Sequence, residues 1–489
     1  MSQFFKNIGL GRGYLHRHWF GYLLSFTISL FIGCSGPPLK PWHTERLTAE
    51  FTARKADEIR TFDDYRQLED KLFAQLEEKV YTQTETGPEY ELIRYSSGSA
   101  ADPRQREPDW NRSFELSSDS PSGGVLLLHG MSDSPYSLRA LGEELNRHNY
   151  WVVGPRLPGH GTAPSGLRRI KWEDMAAVVR LCMEYLSSRV GEKPIHIVGY
   201  STGAPLALNF TLDALEGNVS PLPASLVLIS PAIGIHPAAG LAGVNIALSI
   251  LPGFGGMAWL AVELEFDPYK YNSFATNAGT QVHRVTRSVA RRISSWTRSG
   301  EARSFPPTLV FKSTVDATVS TTAVVDRFLK PLGPHGHELV LFDINRLAAG
   351  TPMLISDPGP LTKRLMADAG LPFTVTLVTN VNRESARVIA RRKKPFSTDT
   401  AQTETLPAAW PTGVISLSHV ALPFPPDDPL YGRQPPDDPK ILFLGQMAIQ
   451  GERGLLKIST DWLLRLRHNP FYDFLESRAI DWMDKAGKR

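Results

Sequence analysis

The chain has 489 residues, of which 42 % are hydrophobic and 21 % charged, a composition that permits a large apolar core and argues against intrinsic disorder. Its length exceeds that of one ordinary domain but is short for three. The 53 basic and 50 acidic residues nearly cancel, so charge gives no reason to expect nucleic acid as a partner, and two cysteines are too few for a disulfide framework.

Residues 1–34 have the features of an export signal. Basic residues precede an apolar run from Trp19 to Ile32, which is shorter than the roughly 20 residues that span a bilayer. The Gly33–Cys34 junction resembles a bacterial lipobox, in which the cysteine becomes lipid-modified. We therefore expect a lipoprotein held at the cell envelope through Cys34, with a signal anchor or an ordinary cleaved signal as alternatives.

Residues 35–110 are predicted to form an N-terminal extension. Apolar side chains recur at three- and four-residue steps from residue 45 to 80, which predicts helix packed on the main domain. Two runs, 90–95 and 112–117, have the character of strands. The main domain is expected to occupy residues 111–489.

Short apolar runs and helical patterns then alternate along the chain. The runs at 125–128, 152–153, 195–198, 226–229 and 309–311 suit strands buried on both faces. Helical patterns lie between them at 136–148, 173–190 and 203–215. This alternation predicts an α/β fold, with a mostly parallel central sheet and helices on both faces.

Two segments interrupt the alternation and are predicted to be insertions. Residues 236–305 are interpreted as a cap, with an apolar run at 241–251 and a helix that carries valines on one face and arginines on the other. Residues 346–412 form the second insertion, with a strand-like 373–379 and a basic run at 391–394 that we expect to be solvated. A final amphipathic helix is predicted over 459–487.

The strongest chemical signal is Gly199-Tyr200-Ser201-Thr202-Gly203, between a strand and a helix. A sharp turn there exposes a serine hydroxyl, and small residues at positions 199 and 203 let the backbone pass closely. A serine needs a base to become a nucleophile. The alternative interpretation is an ordinary glycine-bounded turn.

A second signal, His129-Gly130-Met131, follows the strand at 125–128. Acyl transfer needs backbone N–H groups that point at the developing oxyanion. The amides of Thr202 and Met131 are the predicted donors, while His129 shapes the loop and Gly130 permits its tight backbone. The loop 157–161 is expected to border the pocket, with His160 in a structural role.

An acid and a histidine should follow the nucleophile in that order. Asp316 lies just beyond the strand at 308–312, where such an acid is expected, and Asp326 and Asp343 are its competitors. His419 is the preferred base, since it lies in a loop after a short apolar run. The competing histidines are His335 and His337, at the wrong end of a strand, and His468, in a late helical region.

These motifs together resemble the monoglyceride-lipase and serine-aminopeptidase-like branch of the α/β hydrolases. The resemblance covers residues 123–332 well and the rest more loosely. It implies a Ser201–Asp316–His419 triad, a mobile lipid-facing cap, and neither a metal nor an organic cofactor. The extension, the second insertion and the export signal depart from the family pattern and leave the substrate open.

We therefore expect a membrane-attached serine hydrolase that cleaves carboxylic esters, such as lipid or acylglycerol-like esters, through an acyl-enzyme. Three alternatives use the same residues or the same fold. They are a serine aminopeptidase-like activity, an acyltransferase, and a non-catalytic envelope protein.

Overall fold

The structure is a computed structural model that describes residues 38–234, 258–298, 305–316, 318–348, 354, 356–436, 442–445 and 465–488. Its main feature is a ten-stranded sheet in the order β1-β3-β2-β4-β5-β8-β9-β10-β11-β12. All pairs from β3 to β10 are parallel, whereas β1 and the last two strands pair antiparallel. The strands are β1 Phe114–Leu116, β2 Gly123–Leu128, β3 Tyr150–Gly154, β4 Ile195–Tyr200, β5 Ser225–Ile229, β8 Thr308–Ser313, β9 Glu338–Phe342, β10 Thr374–Asn380, β11 Arg387–Lys393 and β12 Thr400–Ala409.

Helices cover both faces of this sheet. They are α1 Pro41–Thr44, α2 Phe62–Lys79, α3 Arg139–Arg147, α4 Trp172–Val190, α5 Gly203–Leu215, α6 Thr276–Arg298, α7 Thr321–Val324 with its π-helical continuation Val325–Leu329, α8 Gly359–Ala367 and α9 Tyr472–Gly487. The predicted α/β fold with a mostly parallel sheet is confirmed.

The core lies in two layers because successive side chains of a strand point to opposite faces. On β2, Val125 and Leu127 join the cluster under α3 and α9, whereas Leu126 and Leu128 join the cluster under α4 and α5. Both layers are buried, which explains why the parallel strands appear in the sequence as continuous apolar runs.

The N-terminal extension contains less helix than predicted. Only Phe62–Lys79 is a long helix, and it begins where Thr61 and Asp64 form a reciprocal cap. Residues 45–60 are largely irregular because Glu50 reaches the main domain, where it accepts from the amide of Gly159. The prediction of a strand at 90–95 is wrong. Turns form there, and the amide of Arg94 donates to the carbonyl of Glu265.

The described part of the predicted cap contains a small β-ribbon and one long helix. Strands β6 Trp259–Ala261 and β7 Phe274–Ala275 pair antiparallel, and α6 follows directly. The apolar face of α6 is buried, including Val282, Val285 and Val289, as its sequence pattern predicts. The apolar run at 241–251 lies outside the described residues.

The second insertion is part of the central sheet. The predicted strand at 373–379 is confirmed as β10, which pairs parallel with β9, and β11 and β12 continue the sheet from it. The expectation that the basic run 391–394 is solvated is wrong for Lys393. That side chain is fully buried, and its ammonium donates to the carbonyl of Asp368.

The chain then returns along the carboxyl end of the sheet. The amide of Asn345 donates to the carbonyl of Ile415, and the hydroxyl of Ser313 donates to that of Leu417. These bonds hold the segment before His419 against the ends of β8 and β9. The last described helix begins at Tyr472, shortly after Pro470, which disfavours helix in the residue before it. Residues 459–464 of the predicted helix lie outside the described residues.

Candidate active site

Ser201 lies at the turn between β4 and α5, with a backbone φ of 50°. This left-handed conformation is uncommon for a residue with a side chain. The turn is held because the amide of Ser201 donates to Ile229 and the amides of Ala204 and Ala232 donate to its carbonyl. The hydroxyl therefore stands above the carboxyl ends of the strands, where it is partly exposed.

The glycines on either side of Ser201 are required by close contacts. A Cβ on Gly203 would lie 2.0 Å from the carbonyl oxygen of Leu128, and one on Gly199 would lie 2.7 Å from the backbone of Ala204. Helix α5 thus passes directly over β2 and β4. Gly199 and Gly203 are thus the two positions at which backbone segments pass so close to each other that a side chain has no room.

His419 connects Ser201 to Asp316. Its Nε2 lies 3.0 Å from Ser201 Oγ, and its Nδ1 lies 2.9 Å from Asp316 Oδ2. These three residues are far apart in sequence, but the turns and loops that carry them meet at the carboxyl end of the sheet. The arrangement has the geometry of a nucleophile, a base and an orienting carboxylate.

The carboxylate of Asp316 is held from both sides. Its Oδ1 accepts from the amides of Thr318 and Val319, at 2.8 and 3.0 Å. Its Oδ2 also lies 2.9 Å from the ammonium of Lys312. Burial alone would raise the pKa of Asp316, but the hydrogen bond from His419 and the charges of His419 and Lys312 hold it well below its usual range. The carboxylate is therefore ionised at any ordinary pH.

The competing acids and histidines lie elsewhere. Asp326 is half-exposed and pairs with Lys330, and Asp343 binds the guanidinium of Arg346. His337 accepts from the amide of Thr308 at the start of β8, which is the opposite end of the sheet.

The loop after β2 approaches the serine closely. A Cβ on Gly130 would lie 3.1 Å from Ser201 Cβ and 2.6 Å from Asp133 Oδ2. His129 accepts from the amide of Leu157 through Nε2, so its Nδ1 donates to the carbonyl of Gly130. Burial lowers the pKa of His129 well below its usual value, so this histidine is a neutral bridge between two loops.

Thr202 directly follows Ser201, and Met131 directly follows Gly130, whose backbone lies close to Ser201. Neither amide donates to another group among the described residues. Both residues are buried. Two unoccupied N–H groups beside a serine hydroxyl fit the predicted oxyanion donors.

Sequence reasoning missed three charged groups around this centre. Lys312 lies beside Asp316, and Lys270 binds the buried Asp133 at 2.9 Å. Arg156 binds Glu69 at 2.9 Å beneath the 157–161 loop. A lysine inside the apolar run of β8 was the one visible signal, because a charge at such a position needs a partner.

The fold that surrounds Ser201 is an α/β-hydrolase fold, and residues 125–349 match the alpha/beta hydrolase family. A thermostable monoacylglycerol lipase from Bacillus sp. (strain H-257) is 38 % identical to the chain over 85 residues. The match covers 17 % of this chain and 33 % of that enzyme, so the chain aligns with about a third of the relative's length.

Solved structures with similar folds cover 47 % of this chain. One, from a study of the metagenome-derived lipolytic enzymes LipS and LipT, shares 21 % identity with a TM-score of 0.38 over 87 % of its own length. Another is a monoacylglycerol lipase from Paleococcus ferrophilus, with 16 % identity and a TM-score of 0.36 over 88 %. Structural similarities with TM-scores this low give no information about the substrate of this chain.

Proposed function

We propose that the protein is a serine hydrolase that cleaves carboxylic esters through an acyl-enzyme, with Ser201, Asp316 and His419 as the catalytic triad. The observation that carries this proposal is the continuous pair of hydrogen bonds from Ser201 Oγ through His419 to Asp316. A hydroxyl becomes an effective nucleophile only when such a base removes its proton.

Two other serine–histidine pairs show what distinguishes this one. His196 Nδ1 lies 2.8 Å from Ser225 Oγ, and His43 Nε2 lies 3.0 Å from Ser273 Oγ. Both serines are fully buried, and no carboxylate binds either imidazole among the described residues. Only the pair at Ser201 combines partial exposure, a carboxylate partner and nearby free amides.

The mechanism follows from this geometry. His419 accepts the proton of Ser201 as Oγ attacks the ester carbonyl, and Asp316 stabilises the imidazolium that forms. The amides of Met131 and Thr202 donate to the oxyanion. The imidazolium then protonates the leaving alcohol, and a water activated by the neutral imidazole hydrolyses the acyl-enzyme.

Replacement of the nucleophile tests the proposal. We expect Ser201→Ala to lower turnover of an activated ester by roughly four to six orders of magnitude and to abolish labelling by a fluorophosphonate probe. Ser225→Ala, which removes the other serine of a serine–histidine pair, should leave labelling intact. Activity of purified Ser201→Ala protein within tenfold of the wild type would refute the assignment.

An ester is the favoured substrate because the matched relative is named a monoacylglycerol lipase. Turnover of p-nitrophenyl esters of graded chain length should be compared with that of aminoacyl-naphthylamides. Turnover of the esters alone would exclude an aminopeptidase. Release of an acylated alcohol in place of free acid would instead identify an acyltransferase.

We also propose attachment to the cell envelope through a lipid on Cys34, on the basis of its sequence context. Residues 1–37 lie outside the described part of the chain, and none of the described helices is long and apolar enough to cross a membrane. Cys34→Ser should abolish incorporation of labelled fatty acid in a bacterial host. Unchanged incorporation would contradict the proposal.

A further inference from the structure

Lys312 occupies an unusual place for a lysine. It lies within β8, and its side chain is completely buried. Its ammonium lies 2.9 Å from Asp316 Oδ2, and no other described carboxylate forms an ion pair with it. The ammonium meets the geometry of a hydrogen bond with none of the described acceptors, so its contact with Asp316 is an ion pair. An ammonium is costly to bury without a partner, so its position depends on Asp316.

The two cationic partners of Asp316 meet at the same oxygen. Oδ2 faces both His419 Nδ1 and Lys312 Nζ, each at 2.9 Å, while Oδ1 is occupied by the amides of Thr318 and Val319. The amides alone suffice to orient the carboxylate. Lys312 is therefore not needed to orient the carboxylate of Asp316, and what it adds to the site is a positive charge.

That charge acts on His419. When the imidazole is protonated, two cations share one carboxylate oxygen in a poorly solvated setting, and their repulsion disfavours the imidazolium. Among the described residues, the other ionisable groups that contact or interact with His419 are Tyr200, whose ring lies against the imidazole, and the buried Asp133, which is paired with Lys270. Neither of them is placed to neutralise Lys312.

We propose that Lys312 is a positioning residue for the reaction, which acts through Asp316 to make His419 competent as a base at lower pH than a triad without the lysine. This role rests on the proposed function, since it presumes that His419 activates Ser201. It predicts that the rise of activity with pH begins in more acidic solution than it would with an uncharged residue at position 312.

The test is the pH dependence of kcat/KM for an activated ester, together with the rate of fluorophosphonate labelling. Lys312→Met removes the charge and keeps an unbranched apolar chain. Lys312→Gln removes the charge and keeps a hydrogen-bond donor. In both variants we expect the midpoint of the acidic limb to move upward by roughly one pH unit, because the imidazolium loses a repelling neighbour.

Lys393→Met is the matched control. Lys393 is also fully buried in the same sheet, but it binds the carbonyl of Asp368 and lies outside the site. Its replacement should leave the midpoint unchanged. The plateau of the Lys312 variants should also fall far less than the about 10⁴-fold that follows loss of the triad carboxylate, since Asp316 keeps its other three contacts.

An unchanged midpoint in folded Lys312→Met and Lys312→Gln overturns the inference, and so does insolubility of both variants when Lys393→Met folds, since the role would then be structural. These results differ from failure of the proposed function itself. In that case the wild type would not be labelled at Ser201, whatever the pH dependence of the variants.

Discussion

At Gly203 the backbone of α5 passes so close to β2 that a single added carbon would overlap the carbonyl oxygen of Leu128. The same contact brings the amide of Thr202 and the hydroxyl of Ser201 to the end of β4. Packing at one glycine thus sets the position of the proposed nucleophile and of one proposed oxyanion donor. The cost of changing it should appear in stability and in activity together.

We expect Gly203→Ala to destabilise the protein by several kcal/mol, because the added Cβ would meet the backbone of Leu128 and neither β2 nor α5 can move away without disrupting its packing. Gly279→Ala in α6 is the control. Its new Cβ would meet only side chains, at 3.7 Å and beyond. That variant should be as stable as the wild type or more stable by up to about 1 kcal/mol. Urea unfolding of both decides the matter, and equal stability of the two would contradict the packing argument.

At the scale of elements, ion pairs and hydrogen bonds connect α2 of the extension to the loops around the site. Glu69 on α2 and Glu50 both bind the guanidinium of Arg156, which is 1 % exposed. That guanidinium also donates to the carbonyl of His160, and His160 contacts the sulfur of Met131 through Nε2. The extension is thereby connected through one buried cation to the loop that carries Met131, the proposed oxyanion donor.

Removal of Glu69 tests this connection. Glu69→Ala leaves the buried Arg156 with only half of its compensating charge, and breaking such a pair costs about 3 kcal/mol. Glu77→Ala, on the same helix, breaks an ion pair with Arg104 in which the glutamate is 51 % exposed, and should cost less than about 1 kcal/mol. Denaturant unfolding measures both, and faster amide exchange at 156–162 should accompany only the first.

At the scale of the whole molecule, the fold buries several histidines in their neutral form. Burial lowers the pKa of His43, His160 and His196 to about 4, that of His337 to about 3, and that of His129 in the same direction. These residues lie in different layers, so no single site accounts for them. Each can accept a proton near pH 6 only when the chain unfolds.

We therefore expect these histidines to destabilise the fold as the pH drops from the ordinary histidine value of 6.5 towards 4, since each of them binds a proton there only in the unfolded chain. Burial raises the pKa of Glu265 and Glu476 to about 7 and also raises the pKa of five other carboxyls, Glu69, Asp109, Asp133, Asp174 and Asp428. These groups act in the opposite direction, so the contribution of a histidine has to be isolated by substitution. The free energy of unfolding should change by about 1.4 kcal/mol per pH unit for each net proton taken up. The difference in unfolding free energy between His196→Leu and the wild type should move in favour of the variant as the pH drops from 6.5 to 4, and a difference that does not change with pH would show that His196 does not titrate on unfolding.

Local sequence patterns determined most of the strands and helices of this protein and the choice of its candidate site residues. Apolar runs and helical periodicity predicted β2 to β5, β8 to β10 and the helices α3 to α6, because the period of burial depends only on local geometry. The short strands β6 and β7 were not predicted. Chain order and strand position predicted Ser201, Asp316 and His419 from the sequence, since the carboxyl ends of parallel strands meet at one edge. Where local pattern and tertiary contacts disagreed, as at 45–60, 90–95 and Lys393, the prediction failed.

Only the tertiary structure decided what surrounds those residues. Three strands from the second insertion extend the sheet, yet hydrogen bonds to Asn345 and Ser313 return the chain to the site. Lys312 shares an oxygen with His419, and Arg156 links the extension to His160. Such contacts join residues with no fixed separation in the sequence, and a buried charge is placed by the partner that neutralises it. Local periodicity contains no information about that partner.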